Sequence, residues 1–309
     1  MYLPKLYIYQ KPIVIIIGCI NMDIGNNHSA IKYKKEHYIN AQVHSNYSNN
    51  EDNNNLIARI KKSIYLYEKF DLESINDSAK LMNRIDTKYL LTLSDLPKLL
   101  NVLRDHYKVL EIDNNSIFTY KNRYLDTEDF EFFRKHHNGK QNRYKVRYRH
   151  YVDSGTEFLE VKFKNNKRRT IKNRIEISNK KHDLNIQEEF LTGQLPAELE
   201  NLQVCQHSEY KRVSLVSVDG KERLTLDFDL KYKSPFCDKN AVNLENLCIA
   251  ELKQPGKSHF SVFENLMRRL SIQPTSFSKY CIGCCSLYPD HLKQNRFKPV
   301  LNIIKKLTE

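Results

Sequence analysis

The chain has no apolar run long enough to cross a bilayer. The most apolar stretch, Ile13–Ile20, falls far short of the ~20 residues that a spanning helix needs. Acidic residues are in deficit: 37 Asp and Glu against 50 Lys and Arg leave a formal charge of +13. With a pI near 9.2, that balance excludes a cationic partner and calls for an anionic one. Only 8 glycines and 9 prolines are present, and no Gly-rich phosphate loop of the Walker type or kinase signature occurs. The seven cysteines, at 19, 205, 237, 248, 281, 284 and 285, are odd in number and irregular in spacing. That pattern argues against a disulfide framework and for a reducing compartment.

A hydrophobic fraction of 40% supports a real core, and 19 Tyr with 14 Phe suit a strand-rich protein with compact turns. Residues 1–55 are expected to be a disordered leader, since NNHS and SNNEDNNN offer little to bury. Within it, Ile16-Ile17-Gly18-Cys19 behind Lys5 and Lys11 resembles a bacterial lipobox. The apolar region is short even for a signal peptide, and a frayed leader or a mis-assigned start codon is the plainer reading. Order is expected from about 56 to 300, with a tail over 301–309. Leu56, Ile60, Ile64 and Tyr67 recur at helical spacing, and Arg84–Tyr89 alternates as a strand. Ser94-Asp95 is expected to cap a helix striped by Leu96, Leu99, Leu100, Leu103 and Tyr107. A strand over Ile117–Asp126, a short helix Glu128–His137 closed by Gly139, and three basic strands follow. Residues 183–204 read as one or two short helices. Further strands are expected over Glu209–Val218, Arg223–Leu230 and Leu247–Gln254, then a helix capped by Ser258. The end of the chain, Phe277–Leu307, reads as a short helix plus a Pro-containing strand or coil. Runs of antiparallel strands with helices at the ends predict an α+β fold with a closed or nearly closed sheet.

The charge is concentrated in residues 140–174, which hold twelve Lys and Arg and three Asp and Glu. Arg143, Lys145, Arg147 and Arg149 alternate with Tyr144, Val146 and Tyr148. Lys162 and Lys164 follow Glu160 in step, and Lys172, Arg174 and Glu176 continue the pattern. A strand turns successive side chains to opposite faces, so each segment offers one cationic face. One such strand would be the solvent face of an antiparallel sheet. Here the pattern recurs over at least six segments, including Arg84/Asp86/Lys88, Arg223/Thr225/Asp227/Asp229 and Glu251/Lys253. Like charges opposed across a sheet destabilise it. At ~4 Å a pair repels by about 1 kcal/mol in water and about 4 at an effective dielectric of 20. A bound polyanion would relieve that repulsion.

The alternation turns the Tyr and Phe of these strands away from the charges, which argues against nucleic acid and its need for stacking platforms. Acids do sit in the charged rows: Glu160, Glu176, Asp227, Asp229 and Glu251. Carboxylates among phosphate-binding cations suit a hard divalent ion, Mg²⁺ or Mn²⁺, shared with substrate phosphates. Triphosphate or polyphosphate chemistry follows, with Glu160 among the candidate metal ligands and Arg143, Lys145, Lys164 and Arg174 among the candidate phosphate ligands.

The ordered set RIDTKY (84–89), YLDT (124–127), NRYKVRYR (142–149), EVKFK (160–164), RTIKNR (169–174), YKR (210–212), ERLTLDFDL (222–230), AELKQ (250–254) and SFSKY (276–280) resembles the catalytic domain of the vacuolar transporter chaperone (VTC) polyphosphate polymerases, within the CYTH/triphosphate tunnel superfamily. The resemblance spans about residues 62–298. It implies a closed antiparallel barrel of about eight strands with flanking helices, forming a tunnel for a chain-like anion. It further implies that Lys88, Arg147, Arg149, Lys162, Lys172, Arg212, Arg223, Lys253 and Lys279 bind phosphates. Arg147, Arg149, Arg223 and Lys279 are expected nearest the chemistry. Glu251 is the implied metal ligand, and Ser278 is expected to touch the phosphate chain.

Many superfamily members begin with Glu-x-Glu-x-Lys, whereas this chain reads Arg84-x-Asp86-x-Lys88. The lost acid shifts the expectation from hydrolysis of triphosphate or polyphosphate toward polymerisation from ATP. A non-catalytic polyphosphate-binding module is the third reading. No SPX regulatory domain or membrane segment is recognisable, so a cytoplasmic domain is expected, with any translocation depending on a membrane-protein partner in trans. Cys281-x-x-Cys284-Cys285 reads as buried, reduced thiols on a helix, since no second paired element completes a zinc site. His136-His137 reads as positive charge at a helix C-terminus.

Overall fold

The computed structural model describes residues 55–71, 85–167, 169–177, 183–197, 201–255 and 260–308. Nearly all of the expected leader, with its lipobox-like motif, lies outside these residues, as do Arg84 and Ser258. Contacts divide the chain into Met1–Arg59 and Ile60–Glu309, and the second unit carries the sheet.

Eleven strands form one sheet: β1 (Lys69–Phe70), β2 (Ile85–Thr92), β3 (Tyr107–Leu110), β4 (Phe118–Asp126), β5 (Arg143–Tyr151), β6 (Thr156–Lys164), β7 (Thr170–Ile177), β8 (Gln203–Ser217), β9 (Arg223–Lys233), β10 (Ala241–Leu244) and β11 (Leu247–Gln254). Eight of them make a continuous path, β2-β11-β9-β8-β4-β5-β6-β7, with every neighbouring pair antiparallel. The antiparallel α+β expectation therefore holds, but the closed barrel does not. Among the described residues β2 pairs only with β11 and β7 only with β6, so the sheet is open between them. Two physical reasons stand at that gap. Thr275 N donates to the Lys88 carbonyl at 2.8 Å, so a loop segment occupies the edge of β2. Lys88, Lys162 and Lys172 also converge there, and the Lys88 and Lys172 charges both weigh against the Lys162 ammonium.

Helices among the described residues include α1 (Leu96–Leu103), α2 (Glu131–His137), α3 (Asp183–Gln194), α4 (Val262–Arg269), α5 (Lys279–Leu287) and α6 (Lys298–Thr308). The stripe Leu96, Leu99, Leu100 and Leu103 is buried as its spacing predicts, but α1 stops there and Tyr107 begins β3. Asp95 does not cap α1 with its side chain; its carboxylate accepts from Thr92 Oγ1 at 2.5 Å. The cap of α4 is Ser261, which accepts from Glu264 N at 3.1 Å. The expected C-terminal strand or coil is instead α6, with Pro299 at its second position, where a missing N–H costs nothing. Val300 and Ile304 of α6 are buried in a core that includes Phe132, Phe133, Tyr280, Cys284 and Phe297.

Asp126 shows how α2 is set. Its fully buried carboxylate accepts from Thr127 N and Phe132 N at 2.8 Å, from Phe133 N at 3.0 Å and from Tyr280 Oη. Desolvation raises its pKa against these hydrogen bonds. One buried anion thus ties the end of β4, the start of α2 and α5 together.

Candidate functional site

Register turns the alternation of single strands into rows across them. Lys145, Lys162 and Lys172 are Cα partners across β5, β6 and β7; Arg147, Glu160 and Arg174 form the next row, and Arg143 faces Lys164. The cationic face continues through β4 and β8 to β9, β11 and β2. There Arg212 opposes Asp227, Lys253 opposes both Arg223 and Asp86, and Glu251 opposes both Thr225 and Lys88. At one end a cleft of about 610 Å3 opens, lined by Asp86, Lys88, His136, Arg143, Lys145, Lys162, Lys164, Glu251 and Ser278, among others.

The cations differ in their surroundings. Lys145 donates to Ser278 Oγ at 2.7 Å, and burial pushes its pKa down to about 8. Lys88 donates to the Phe277 carbonyl at 3.0 Å and is also lowered, chiefly by burial and against the pull of Glu251. Desolvation, then Lys145, Lys172 and Lys88, push Lys162 down to about 7, although the residue as a whole is exposed. By contrast Arg147 binds Glu160 through Nε at 2.7 Å and Nη2 at 2.5 Å, and reaches Tyr124 Oη at 3.2 Å. Burial opposes Glu160 ionising, but Arg147 and Arg149 outweigh it and lower its pKa. Arg149 holds Asn122 Oδ1 at 3.1 Å and Tyr210 Oη at 3.4 Å. Arg212 forks onto Asp227 at 2.6 and 2.8 Å, and Lys279 binds the same carboxylate. Asp227 is 2% exposed, and its two cations overcome desolvation to hold its pKa well below the usual range.

The structure thus gathers Lys88, Arg143, Lys145, Lys162, Lys164 and Ser278 in the cleft, while Arg212 and Lys279 sit deeper against Asp227. Arg223 begins β9, and Lys172 and Arg174 lie on the solvent-exposed strand β7. Of the two candidate metal ligands, Glu251 lines the cleft and Glu160 is engaged by Arg147. Glu251 and Asp86 both contact Lys253 Nζ, Asp86 at 3.3 Å, so the two carboxylates already share one cation. Burial works against Glu251, but Lys88 and Lys253 bring its pKa to about 2, leaving it anionic at neutral pH. Among the described residues no group of three or more His, Cys, Asp or Glu side chains converges on one point. A divalent ion at Asp86 and Glu251 would therefore need oxygens from the substrate, as Mg²⁺ commonly takes them.

Sequence reasoning missed Asp227 as the anchor of Arg212 and Lys279, although the alternation of ERLTLDFDL carried it. It also turned all the aromatics away from the charges, which holds for Tyr144, Tyr148 and Phe163 but not for five others. Tyr120, Tyr124, Tyr151, Phe158 and Tyr210 share the cationic face, because Tyr120, Tyr124 and Tyr210 come from β4 and β8 while Tyr151 and Phe158 fall in step with Arg149 and Glu160 on β5 and β6. Lys279 lies 4.3 Å from the Tyr210 ring, and Arg212 lies 5.0 Å from that of Tyr120. Burial resists ionisation of Tyr210, but Arg149, Arg212 and Lys279 lower its pKa. His136 is not a cation at the end of α2. Desolvation, Lys145 and Arg143 depress it to about 2, and its Nδ1 lies 3.1 Å from Cys281 Sγ. Cys281, Cys284 and Cys285 are buried free thiols on α5.

The VTC domain family model matches residues 83–288. A candidate adenylate cyclase from Bacillus halodurans superposes with a TM-score of 0.43 at 14% identity, over 70% of this chain and 97% of its own. A Hippeastrum protein described by its dominant triphosphatase activity gives 0.43 at 13% identity, over 65% and 94%. The RNA triphosphatase of S. pombe gives 0.27 at 10%, over 77% and 92%. No curated protein matches the chain. Among the described residues no helix is long and apolar enough to cross a membrane.

Proposed function

The chain belongs to the VTC domain family, and from that premise we propose that its cationic face is a polyphosphate polymerase site fed by ATP. The observation that carries this reading is the in-register row Lys145, Lys162 and Lys172 beside the cleft. The lowered ammonium pKa values of Lys145 and Lys162 reflect desolvation and mutual repulsion that a bound polyanion would relieve. A linear chain of phosphates supplies negative charge along such a row.

In this reading the triphosphate lies along the face. Arg147, Arg149 and Arg223 fork onto the non-bridging oxygens, and lysines act as point charges. The terminal oxyanion of the growing chain attacks the γ-phosphorus in line. The new O–P bond forms as the β–γ bridging bond breaks, and ADP leaves with the electron pair. The acceptor is already ionised at neutral pH, so no general base is required. Positioning and charge stabilisation carry the step. Asp86 and Glu251 would hold Mg²⁺ or Mn²⁺, which when bound neutralises charge on the phosphate oxygens. Glu160 acts by fixing Arg147.

Incubating the protein with ATP and Mn²⁺, with and without a short polyphosphate primer, tests the proposal. Matched ADP release and chain growth are expected. Orthophosphate without chains would make the site a hydrolase, and tight polyphosphate binding with neither product would make it a binding module.

A further inference from the structure

The cationic face has two unlike ends. The cleft end carries Lys88, Lys145, Lys162 and Ser278. The other end carries aromatic rings: Tyr151 terminates the β5 row that runs through Arg147 and Arg149, and Tyr120 and Phe158 lie across from Tyr151 and Arg149. The rings form one cluster. Tyr120 and Tyr151 have centroids 5.0 Å apart, and Tyr151 meets Phe158 edge-on at 5.8 Å. Guanidinium groups lie against them, Arg174 at 4.4 Å from the Phe158 ring and Arg149 at 5.6 Å from that of Tyr120. None of the three rings is fully buried.

Partly exposed aromatic carbon cannot bond to phosphate oxygens, and it serves a phosphate site only by holding the guanidinium groups. Rings beside guanidinium planes are instead what a flat heterocycle stacks on. The spacing agrees. Six residue steps lead from Lys145 to Tyr151, or about 20 Å at the rise of a strand, room enough for an extended nucleoside triphosphate. We propose that Tyr120, Tyr151 and Phe158 form the nucleobase subsite of a nucleoside triphosphate donor. The donor then lies with its base at the aromatic end and its terminal phosphate toward Lys145, Lys162 and Ser278. This rests on the polymerase reading, and it places phosphoryl transfer at the lysine end of the face.

Binding of ATP and of inorganic tripolyphosphate, measured side by side, separates the two claims, because tripolyphosphate has no base. Tyr151→Ala and Phe158→Ala are expected to weaken ATP roughly 5- to 150-fold while leaving tripolyphosphate within about twofold. The unchanged tripolyphosphate affinity also verifies the fold, and Tyr151→Phe should restore ATP binding. Equal losses for both ligands, or no loss for either, would overturn the subsite. A wild-type protein that bound neither ligand would overturn the polymerase reading along with it.

Discussion

Asp227→Asn isolates the charge that holds two of the cations in place. The substitution keeps the side-chain volume but removes the anion that Arg212 grips at 2.6 and 2.8 Å and that Lys279 shares. Leaving a buried charge without its partner costs about 3–5 kcal/mol. The Arg212 and Lys279 side chains retain 17% and 13% exposure, so water should hold the loss near the lower figure. For a folded unit the size of Ile60–Glu309, about 3–5 kcal/mol corresponds to a fall of roughly 6–20 °C in Tm. The pH dependence has a definite sign. The folded pKa of Asp227 is depressed, so its contribution is present above the unfolded value of about 3.9 and is lost as pH falls below it. Thermal unfolding followed by circular dichroism should therefore show a gap between wild type and variant at pH 7 that narrows below about pH 4. Tripolyphosphate should restore part of the variant's Tm, since it supplies the missing charge to Arg212 and Lys279. A loss under about 1 kcal/mol, or a gap indifferent to pH, would refute the argument.

Arg147→Ala should slow chain growth by about 10²–10³-fold in kcat, the scale of one lost charge-stabilising donor, while the circular dichroism spectrum stays native. Full activity in this variant would sink the proposed role. Glu251→Gln should abolish the response to Mn²⁺ yet retain metal-free tripolyphosphate binding; a variant that still responds to the metal would exclude Glu251 as a ligand. Polyanion binding should take up protons near pH 7–8, because it raises the depressed pKa values of Lys145 and Lys162. Calorimetry in buffers of different ionisation enthalpy reads that uptake directly, and a buffer-independent heat would contradict it. Without ligand the same lysines should make the protein more stable as pH rises from 7 toward 10, since the unfolded chain then binds more protons. Gly283→Ala should cost about 1–3 kcal/mol, because its Cβ would collide with the fully buried Gln206 side chain; unchanged denaturant stability would show that α5 can shift.

The sequence by itself determined the strand-rich α+β class, the cationic faces and most of the strand positions. Period-two alternation assigns each residue to a face whatever the neighbouring strand, so Arg143, Lys145, Arg147 and Arg149 had to point together. The leucine stripe of α1 was legible for the same kind of reason. Partnership across strands was not. Only register decides that Arg147 meets Glu160 while Lys145 meets Lys162, and only the β8–β9 pairing sets Asp227 against Arg212. Closure of the sheet was equally out of reach, because it depends on the loop carrying Thr275 occupying the β2 edge at Lys88. The aromatic end of the site came from Tyr120 and Phe158, residues distant in sequence that share a face with Arg149 only once β4, β5 and β6 are laid side by side. Local alternation fixes which way a side chain points; what it meets there is settled by strands that the chain brings together from far apart.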